Sequence, residues 1–425
     1  MKIYLVGGAV RDIAMGLSPK DFDYVAVGGN PDYFQEWKMV GKDFPVFIEP
    51  AHGWEVALAR KESKTGLGYT GFSIEWEGVT LEEDLARRDL TINAMAQEVD
   101  WEQTVEKGYP ITTGDIIDPY GGLDSLKNRL LHPTSVRFEE DPVRLLRAGR
   151  FLARYTEFKP SVQLIEVCKR MARQGTMGEL NAARVWKETE KALTEHFPVN
   201  YFDFITQFDF PFVRFLRAMK HTREDNAYHR EESVYDHTMM VLAHASQTDN
   251  NPRLNFACLM HDIAKPYCYA TQGNGHGHEE VGVGMVKEFC STWSIPKAYR
   301  DSAIAVTRYH QMVHSALGRN GDSPLRPRSV MTLFNGIHAF NQPDNLEFLL
   351  QACFADHYGR IGDEPPAVYR NSEFLKECYA AASQVDAQAL AARLIEKGNC
   401  AGHVIGERIN EARCKAISVV RNQWV

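Results

Sequence analysis

The sequence predicts an α+β head followed by an all-α body, and three observations carry that expectation. Short runs with the β-branched and aromatic content of strands, KIYLV, DFDYVAV, EVALAR and the glycine-broken GYTGFSIEWEG, fall within the first 140 residues. From Asp141 onward such runs almost vanish. In their place come stretches with apolar residues at helical spacing: DPVRLLRAGRFLARY, SVQLIEVCKRMARQ, RVWKETEKALTEH, RLNFACLMHDIAK and DAQALAARLIEKG. A chain of 425 residues holds two to four domains. The expected divisions are a head at 1–140, a helical neck at 141–227, a second helical domain at 228–360 and a helical tail at 361–425.

Composition narrows the class. Hydrophobic content of 44% and charged content of 24% predict a soluble globular protein rather than a fibrous or disordered one. No apolar run approaches the roughly 18 residues a membrane-spanning helix needs, and the N-terminal run before Gly7 is too short for a signal peptide. A cytoplasmic protein with no membrane partner is expected. The eight cysteines form no CxxC pair, which predicts reduced, structural thiols and no thiolate zinc site. The net charge of −8 argues weakly against a nucleic-acid partner, but local basic clusters decide phosphate binding. Monomer and dimer both stay open.

The opening stretch, MKIYLVGGAVRDIAMGLSPKDFDYVAVG, carries the first chemistry. Residues two apart on a strand face one side, about 6.6 Å apart, so Asp21 and Asp23 project together while Phe22 and Tyr24 turn to the core. Such a pair repels itself unless a cation lies between, and oxygen-only donors suit one or two Mg²⁺ ions. Two-metal sites serve in-line phosphoryl displacement. Gly7 and Gly8, at the end of a strand and entering the helix AVRDIAMG, allow close backbone approach to phosphates, and Arg11 can fork onto a triphosphate.

LARRDLTINAMA sets Arg87, Arg88 and Asp89 just before an expected helix, with Asn93 one turn on; adjacent arginines there call for anions. DPYGGLDSLKNRLL, from Asp118, reads as an architectural turn. In EEDPVRLLRAGRFLARY, Pro142 suits the first helical position and Asp141 the cap before it. Arg147, Arg150 and Arg154 then share a narrow arc, with Arg144 beside them. The Asp141/Arg144 pair, one turn apart, joins an acceptor to a donor. Cytosine and adenine present an amino donor beside a ring-nitrogen acceptor, and guanine and uracil the reverse, so such an edge would accept C and A and refuse G and U.

GGAVRD with DFD, RRDLTINAMA, DPYGG, EDPVRLLR and RVWKE, in this order, closely resemble the class II CCA-adding enzymes, template-independent tRNA nucleotidyltransferases of the polymerase-β-like superfamily. The likeness covers about the first 200 residues. It implies a polymerase-β-like head with a small mixed sheet, acting on tRNA with CTP and ATP. By position, Asp21 and Asp23 would hold catalytic Mg²⁺. Gly8, Arg11 and Arg88 would contact the nucleotide phosphates or sugar, with Asn93 in support. Asp141 and Arg144 would read the base, and Arg147 and Arg150 would complete nucleotide binding. Two departures stand out. The segment DWEQTVEKGYPITTGDI is longer than the expected hairpin and reads as a solvent-exposed insertion. Ala183 replaces the usual acid before Arg184, which questions the neck motif's salt bridge.

The helical part holds a second constellation: His237, His261-Asp262, His276 and His278, His310 and His314, and Asp356. Imidazole and carboxylate without thiolate favour a hydrolytic or transition-metal site. The order H…HD…H…H…D resembles the HD-domain metal-dependent phosphohydrolases over roughly 228–360. That resemblance implies His237, His261, Asp262 and Asp356 as ligands of a first metal and His278 and His310 as those of a second, with Ni, Mn or Co as suitable ions. His244, His276 and His314 are expected to be loop or helix-surface residues. A fused HD domain characterises one bacterial-type group of CCA-adding enzymes and implies phosphatase, 2′-nucleotidase and 2′,3′-cyclic phosphodiesterase activity. The expected function is therefore CCA addition with 3′-end repair. The rivals are a poly(A) polymerase and an HD phosphohydrolase whose head only grips RNA.

Overall fold

The computed structural model describes residues 1–40, 46–64, 72–223, 231–318, 323–359, 368–396 and 401–424. It separates into two compact units, one of residues 1–188 with 200–211 and one of residues 189–199 with 212–425. The boundary passes through two helices rather than a linker.

The first unit opens on strand β1 (Lys2–Val6), helix α1 (Gly8–Ala14) and strand β2 (Asp23–Val27). Strands β3 (Lys38–Val40), β4 (Val46–Ile48) and β5 (Glu55–Leu58) follow, then the hairpin of β6 (Lys61–Lys64) and β7 (Phe72–Glu75). Helix α2 (Leu81–Ala86), strand β8 (Ala96–Val99), helix α3 (Trp101–Lys107), strand β9 (Thr112–Ile117) and helix α4 (Gly122–Lys127) complete the head. Its mixed sheet runs β3-β4-β5-β2-β1-β8-β9, with β2 and β5 parallel. The strands expected at KIYLV, DFDYVAV and EVALAR are all present; residues 68–71 of GYTGFSIEWEG lie outside the described residues.

Both faces of the sheet are covered. Leu5, Tyr24, Ala26, Val56 and Leu58 form one apolar layer, backed by Phe22, Trp54 and Trp101. Tyr4, Val6, Val25, Leu85, Ala94 and Ala96 form the other. Phe22 and Tyr24 thus pack on the first layer, while Asp23, which begins β2, and Asp21, two residues before it, are exposed. Burying an aromatic or aliphatic side chain of this kind contributes roughly 1.5–3 kcal/mol, so the pleat is firmly registered.

The expected solvent-exposed insertion is largely exposed, with Thr104 buried, yet it is ordered. It folds as α3 and β9, and β9 pairs with β8 at the sheet edge. Trp101 packs edge-on to Tyr24, with centroids 5.0 Å apart, and the Thr104 hydroxyl accepts from the Ile111 N–H at 2.9 Å. The apolar anchor Trp101 holds the segment against the core.

After the head come strand β10 (Leu130–Leu131), helix α5 (Val143–Arg154), strand β11 (Lys159–Pro160), and helices α6 (Val162–Arg173), α7 (Ala182–Leu193) and α8 (Pro198–Ile205). The unit boundary cuts α7 and α8. The second unit continues with α9 (Arg214–Lys220), α10 (Val234–Thr248), α11 (Pro252–Met260), α12 (Lys265–Gln272) and α13 (His278–Thr292). Then follow α14 (Lys297–His314), α15 (Pro327–Gly336), α16 (Asp344–Tyr358), α17 (Arg370–Ser383), α18 (Ala387–Glu396) and α19 (Gly402–Gln423). Helices α10, α11, α14 and α16 pack together around the His and Asp residues, and α19 packs on α15 and α17. The seven described cysteines are all free thiols, and six are buried; Cys400 lies outside the described residues. Among the described residues no helix is long and apolar enough to cross a membrane.

Candidate functional sites

In the first unit, antiparallel pairing sets Val6 opposite Asp23, so the Gly7-Gly8 turn leaves the sheet beside the acids. Gly7 has φ +70°, and a Cβ there would lie 2.9 Å from Nη1 of Arg88. The positive φ favours glycine here, and a side chain would also displace the Arg88 guanidinium. Asp21 and Asp23 are both exposed. Partial burial raises the Asp23 carboxyl above its ordinary range; Arg88 opposes that and the Asp21 charge adds to it. A cation between the two acids would relieve this repulsion, so these oxygen donors fit Mg²⁺. Parallel pairing also brings Glu55 opposite Asp23, a third carboxylate on the same face. The alternation of EVAL could have signalled it.

The two arginines do not precede a helix. They end one: α2 stops at Ala86, and TIN forms a single 3₁₀ turn before β8. A helix C-terminus favours cations. The buried Asp84 supplies the anion, with Arg87 Nε and Nη2 at 3.0 and 2.7 Å and Arg88 Nη2 at 3.4 Å. Those two charges hold the Asp84 carboxyl below its usual range, although burial alone would raise it.

Arg11 is buried, and its guanidinium donates to Asp12 Oδ1 at 2.9 and 2.7 Å and to Asn93 Oδ1 at 2.6 Å. It also lies over the rings of Phe151 and Tyr155. Asn93 in turn donates to Asp89 Oδ1 at 3.0 Å, and Arg147 Nε donates to Asp89 Oδ2 at 2.7 Å. Burial works against the Asp89 charge, but Arg147 and these hydrogen bonds hold its carboxyl well below the ordinary range. Arg150 Nε donates to Glu188 Oε2 at 2.8 Å. The arginine arc of α5 is thus a network tied to carboxylates, not a solvated face; exposed Arg154 stands at its end.

The helix start agrees with the expectation to within one residue. Val143 N–H donates to Asp141 Oδ1 at 3.1 Å, and Pro142 already has helical angles. Asp141 is also gripped by Arg184, with Nη1 at 3.1 Å from Oδ1 and Nη2 at 2.7 Å from Oδ2. Arg144 donates to the carbonyls of Arg137 and Arg87. The neck motif therefore keeps ion pairs despite Ala183, through Arg184 and Glu188. Asp118 accepts from the N–H groups of Gly122 and Leu123, as an architectural turn requires. A Cβ on Gly122 would lie 2.5 Å from the Thr91 carbonyl oxygen, so only glycine lets this turn sit against the 91–93 segment.

In the second unit, His237, His261, Asp262, His278, His310 and Asp356 are all buried together. Their ligand atoms form two groups, His237 with His261 and Asp356, and Asp262 with His278 and His310. Asp262 lies between the groups. Its Oδ2 is 3.0 Å from His261 Nε2 and 3.9 Å from His237 Nε2, while its Oδ1 is 3.1 Å from His278 Nε2 and 3.6 Å from His310 Nε2. This divides the ligands differently from the expectation, which grouped Asp262 only with the first set.

The rings are aimed from behind. His261 Nδ1 is 2.7 Å from the Cys258 carbonyl, His278 Nδ1 is 2.7 Å from that of Gly275, and His310 Nδ1 is 3.0 Å from that of Thr307. Each Nδ1–H donates outward and leaves the Nε2 lone pair directed inward. His261 Nε2 and Asp262 Oδ1 are buried without a hydrogen-bond partner, although neighbouring atoms are close. Lone pairs that converge without hydrogen-bond alignment fit a metal ion, and this N and O donor set fits a transition metal. Burial disfavours a charged His261, but the Asp262 and Asp356 carboxylates outweigh it and lift the imidazole to about 9, so a metal ion bound at Nε2 would take the place of a proton.

His276 stays in a loop, whereas His278 begins α13. His314 is not a surface residue: its Nε2 lies 2.7 Å from Asp356 Oδ2. The four-residue spacing from His310, which sets both on one helix face, was the overlooked signal. Half-buried His244 stacks near Phe354 and Tyr358, away from the ligand groups. Lys265, 2.8 Å from Asp262 Oδ2, was also missed.

Residues 3–132 match the Poly A polymerase head domain family, and residues 234–333 match the HD domain family. The multifunctional CCA protein of Nitrosococcus oceani is 39% identical over 98% of both chains. Two solved structures share the fold. The Bacillus stearothermophilus CCA-adding enzyme in complex with CTP has a TM-score of 0.64 at 20% identity, covering 98% of this chain and 88% of that one. The Thermotoga maritima CCA-adding enzyme complexed with tRNA has a TM-score of 0.59 at 19% identity, covering 99% and 91%. With its head motifs, its His–Asp centre and this identity along the whole length, the chain belongs to the multifunctional CCA protein family.

Proposed function

We propose that the protein adds C, C and A to the 3′ end of tRNA from CTP and ATP, without a template and with release of pyrophosphate, in the cytoplasm. The observation that carries this reading is the meeting of Asp21, Asp23 and Arg88 at one sheet end beside the Gly7-Gly8 turn. Asp21 and Asp23 would hold Mg²⁺, which when bound supplies Lewis-acid stabilisation of a phosphoryl displacement. Gly8, Arg11 and Arg88 would grip the nucleotide phosphates and sugar, with Asn93 orienting Arg11 through their 2.6 Å hydrogen bond. Asp141 and Arg144 would read the base, and Arg147 and Arg150 would complete the nucleotide site. Arg184 fixes the plane of the Asp141 carboxylate; Oδ1 accepts from both Arg184 and the Val143 N–H, while Oδ2 keeps a second lone pair with which to accept from a base.

The His–Asp centre would hold a transition metal such as Ni, Mn or Co through His237, His261, Asp262, His278, His310 and Asp356, and act as a phosphohydrolase. Phosphatase, 2′-nucleotidase and 2′,3′-cyclic phosphodiesterase activities on tRNA 3′ ends follow from that reading. The proposed divisions remain 1–140 for nucleotidyl transfer, 141–227 for base recognition, 228–360 for hydrolysis and 361–425 for the tail. Incubation with tRNA lacking CCA and each labelled nucleotide tests the main reading. Incorporation of CTP followed by ATP, stopping after three residues, is expected; long tails from ATP alone would identify a poly(A) polymerase.

A further inference from the structure

We propose that Tyr369 and His314 act together as positioning residues for Asp356, so that the C-terminal helical segment completes the His–Asp centre. The proposal rests on the reading of that centre as a metal site. His314 is the last residue of α14, one turn beyond His310. Its Nε2 lies 2.7 Å from Asp356 Oδ2, and its Nδ1 lies 2.7 Å from the Tyr369 hydroxyl. A carboxylate only accepts, so Nε2–H donates to Asp356 and Nδ1 accepts from the Tyr369 O–H. The donor order along the chain of three groups is therefore consistent with a single tautomer.

This fixes the carboxylate from one side. Oδ2 is taken by His314, while Oδ1 faces the centre, 3.0 Å from His237 Nε2 and 3.8 Å from His261 Nε2. Tyr369 is itself held. It is buried, and its ring stacks on that of His357 with centroids 5.0 Å apart and planes 23° apart. Two residues on, Asn371 Nδ2 donates to the His314 carbonyl at 3.0 Å and Asn371 Oδ1 accepts from Leu317 N–H at 3.2 Å. Residues 369–371 thus clasp the end of α14 where His314 sits. Asp356 and Tyr369 both lie beyond residue 333, the end of the matched HD domain, so the working centre extends past that match.

Outer partners of metal ligands tune affinity by roughly 10- to 100-fold. Calorimetric titration of the metal-stripped full chain with Mn²⁺ tests the relay, with melting temperatures taken alongside. His314→Ala and Tyr369→Phe are each expected to weaken Mn²⁺ binding, by about 10- to 100-fold and about 10-fold respectively. The double variant should be no weaker than His314→Ala alone, because the two groups act in series. His314→Gln, whose amide can donate to the same carboxylate, should recover part of the loss. Tyr369→Phe keeps the ring and its stacking, and so remains informative if His314→Ala fails to fold. Wild-type affinity in both single variants, or losses that add in the double, would overturn the relay alone. A wild-type chain that takes up no Mn²⁺ would overturn the metal reading and the relay with it.

Discussion

Arg184 holds Asp141 with both arms of its guanidinium, Nη1 3.1 Å from Oδ1 and Nη2 2.7 Å from Oδ2. The proposed base-reading carboxylate is thereby fixed in plane from the neck helix α7. Asp141→Ala should blur the choice of C and A over G and U more than it slows nucleotide transfer. Arg184→Lys, which keeps charge but loses the fork, should relax selectivity by about 1–3 kcal/mol, the value of one good bidentate pair. Competing incorporation of the four nucleotides measures both. A uniform rate loss with selectivity retained would contradict the proposed edge.

Asp84 is fully buried beneath Arg87 and Arg88. Asp84→Ala strands two cationic groups and should destabilise the first unit by about 3–5 kcal/mol. Asp84→Asn, which keeps the shape and an acceptor, should cost less. Urea denaturation compares them, and an Ala variant as stable as the wild type would refute the assigned role. Because Arg88 also leans on Gly7, both variants should slow CTP incorporation.

Asp89 supplies a pH test. Its carboxyl is held well below the usual range in the folded chain, by Arg147 and Asn93 against the opposing effect of burial. A lowered folded value means that the stabilisation is present above the unfolded value of about 3.9 and is lost as the pH falls below it. Asp89→Asn should therefore be about 1–3 kcal/mol less stable than wild type at pH 7, with the gap shrinking below about pH 4. A gap that stays constant from pH 7 to pH 3 would contradict this.

Local pattern was legible in the sequence where chemistry and periodicity coincide. Alternation placed Asp21 and Asp23 opposite Phe22 and Tyr24, and the His and Asp residues implied by order do converge. Partners distant in sequence were not legible. Nothing local says that Glu188 would take Arg150, or that His314 would meet a tyrosine from beyond residue 360. RRDLTINAMA misled because TIN closes a 3₁₀ turn, and the following residues enter the sheet, where burial overrides helical spacing. The segment around Trp101 is largely exposed, as its length suggested, but its pairing with β8 and the contact of Trp101 with Tyr24 were not legible.

The central claim is that Asp23, at the start of β2, and Asp21, two residues before it, grip a divalent ion that serves nucleotide transfer. Single-turnover CTP incorporation onto tRNA lacking CCA, titrated with Mg²⁺ for the wild type, Asp21→Asn and Asp23→Asn, tests it most directly. Each variant should bind CTP yet lose rate by on the order of 10²–10³-fold, the scale seen when a charge-stabilising group is removed from a transition state. Rates and Mg²⁺ dependence close to those of the wild type in both variants would contradict it.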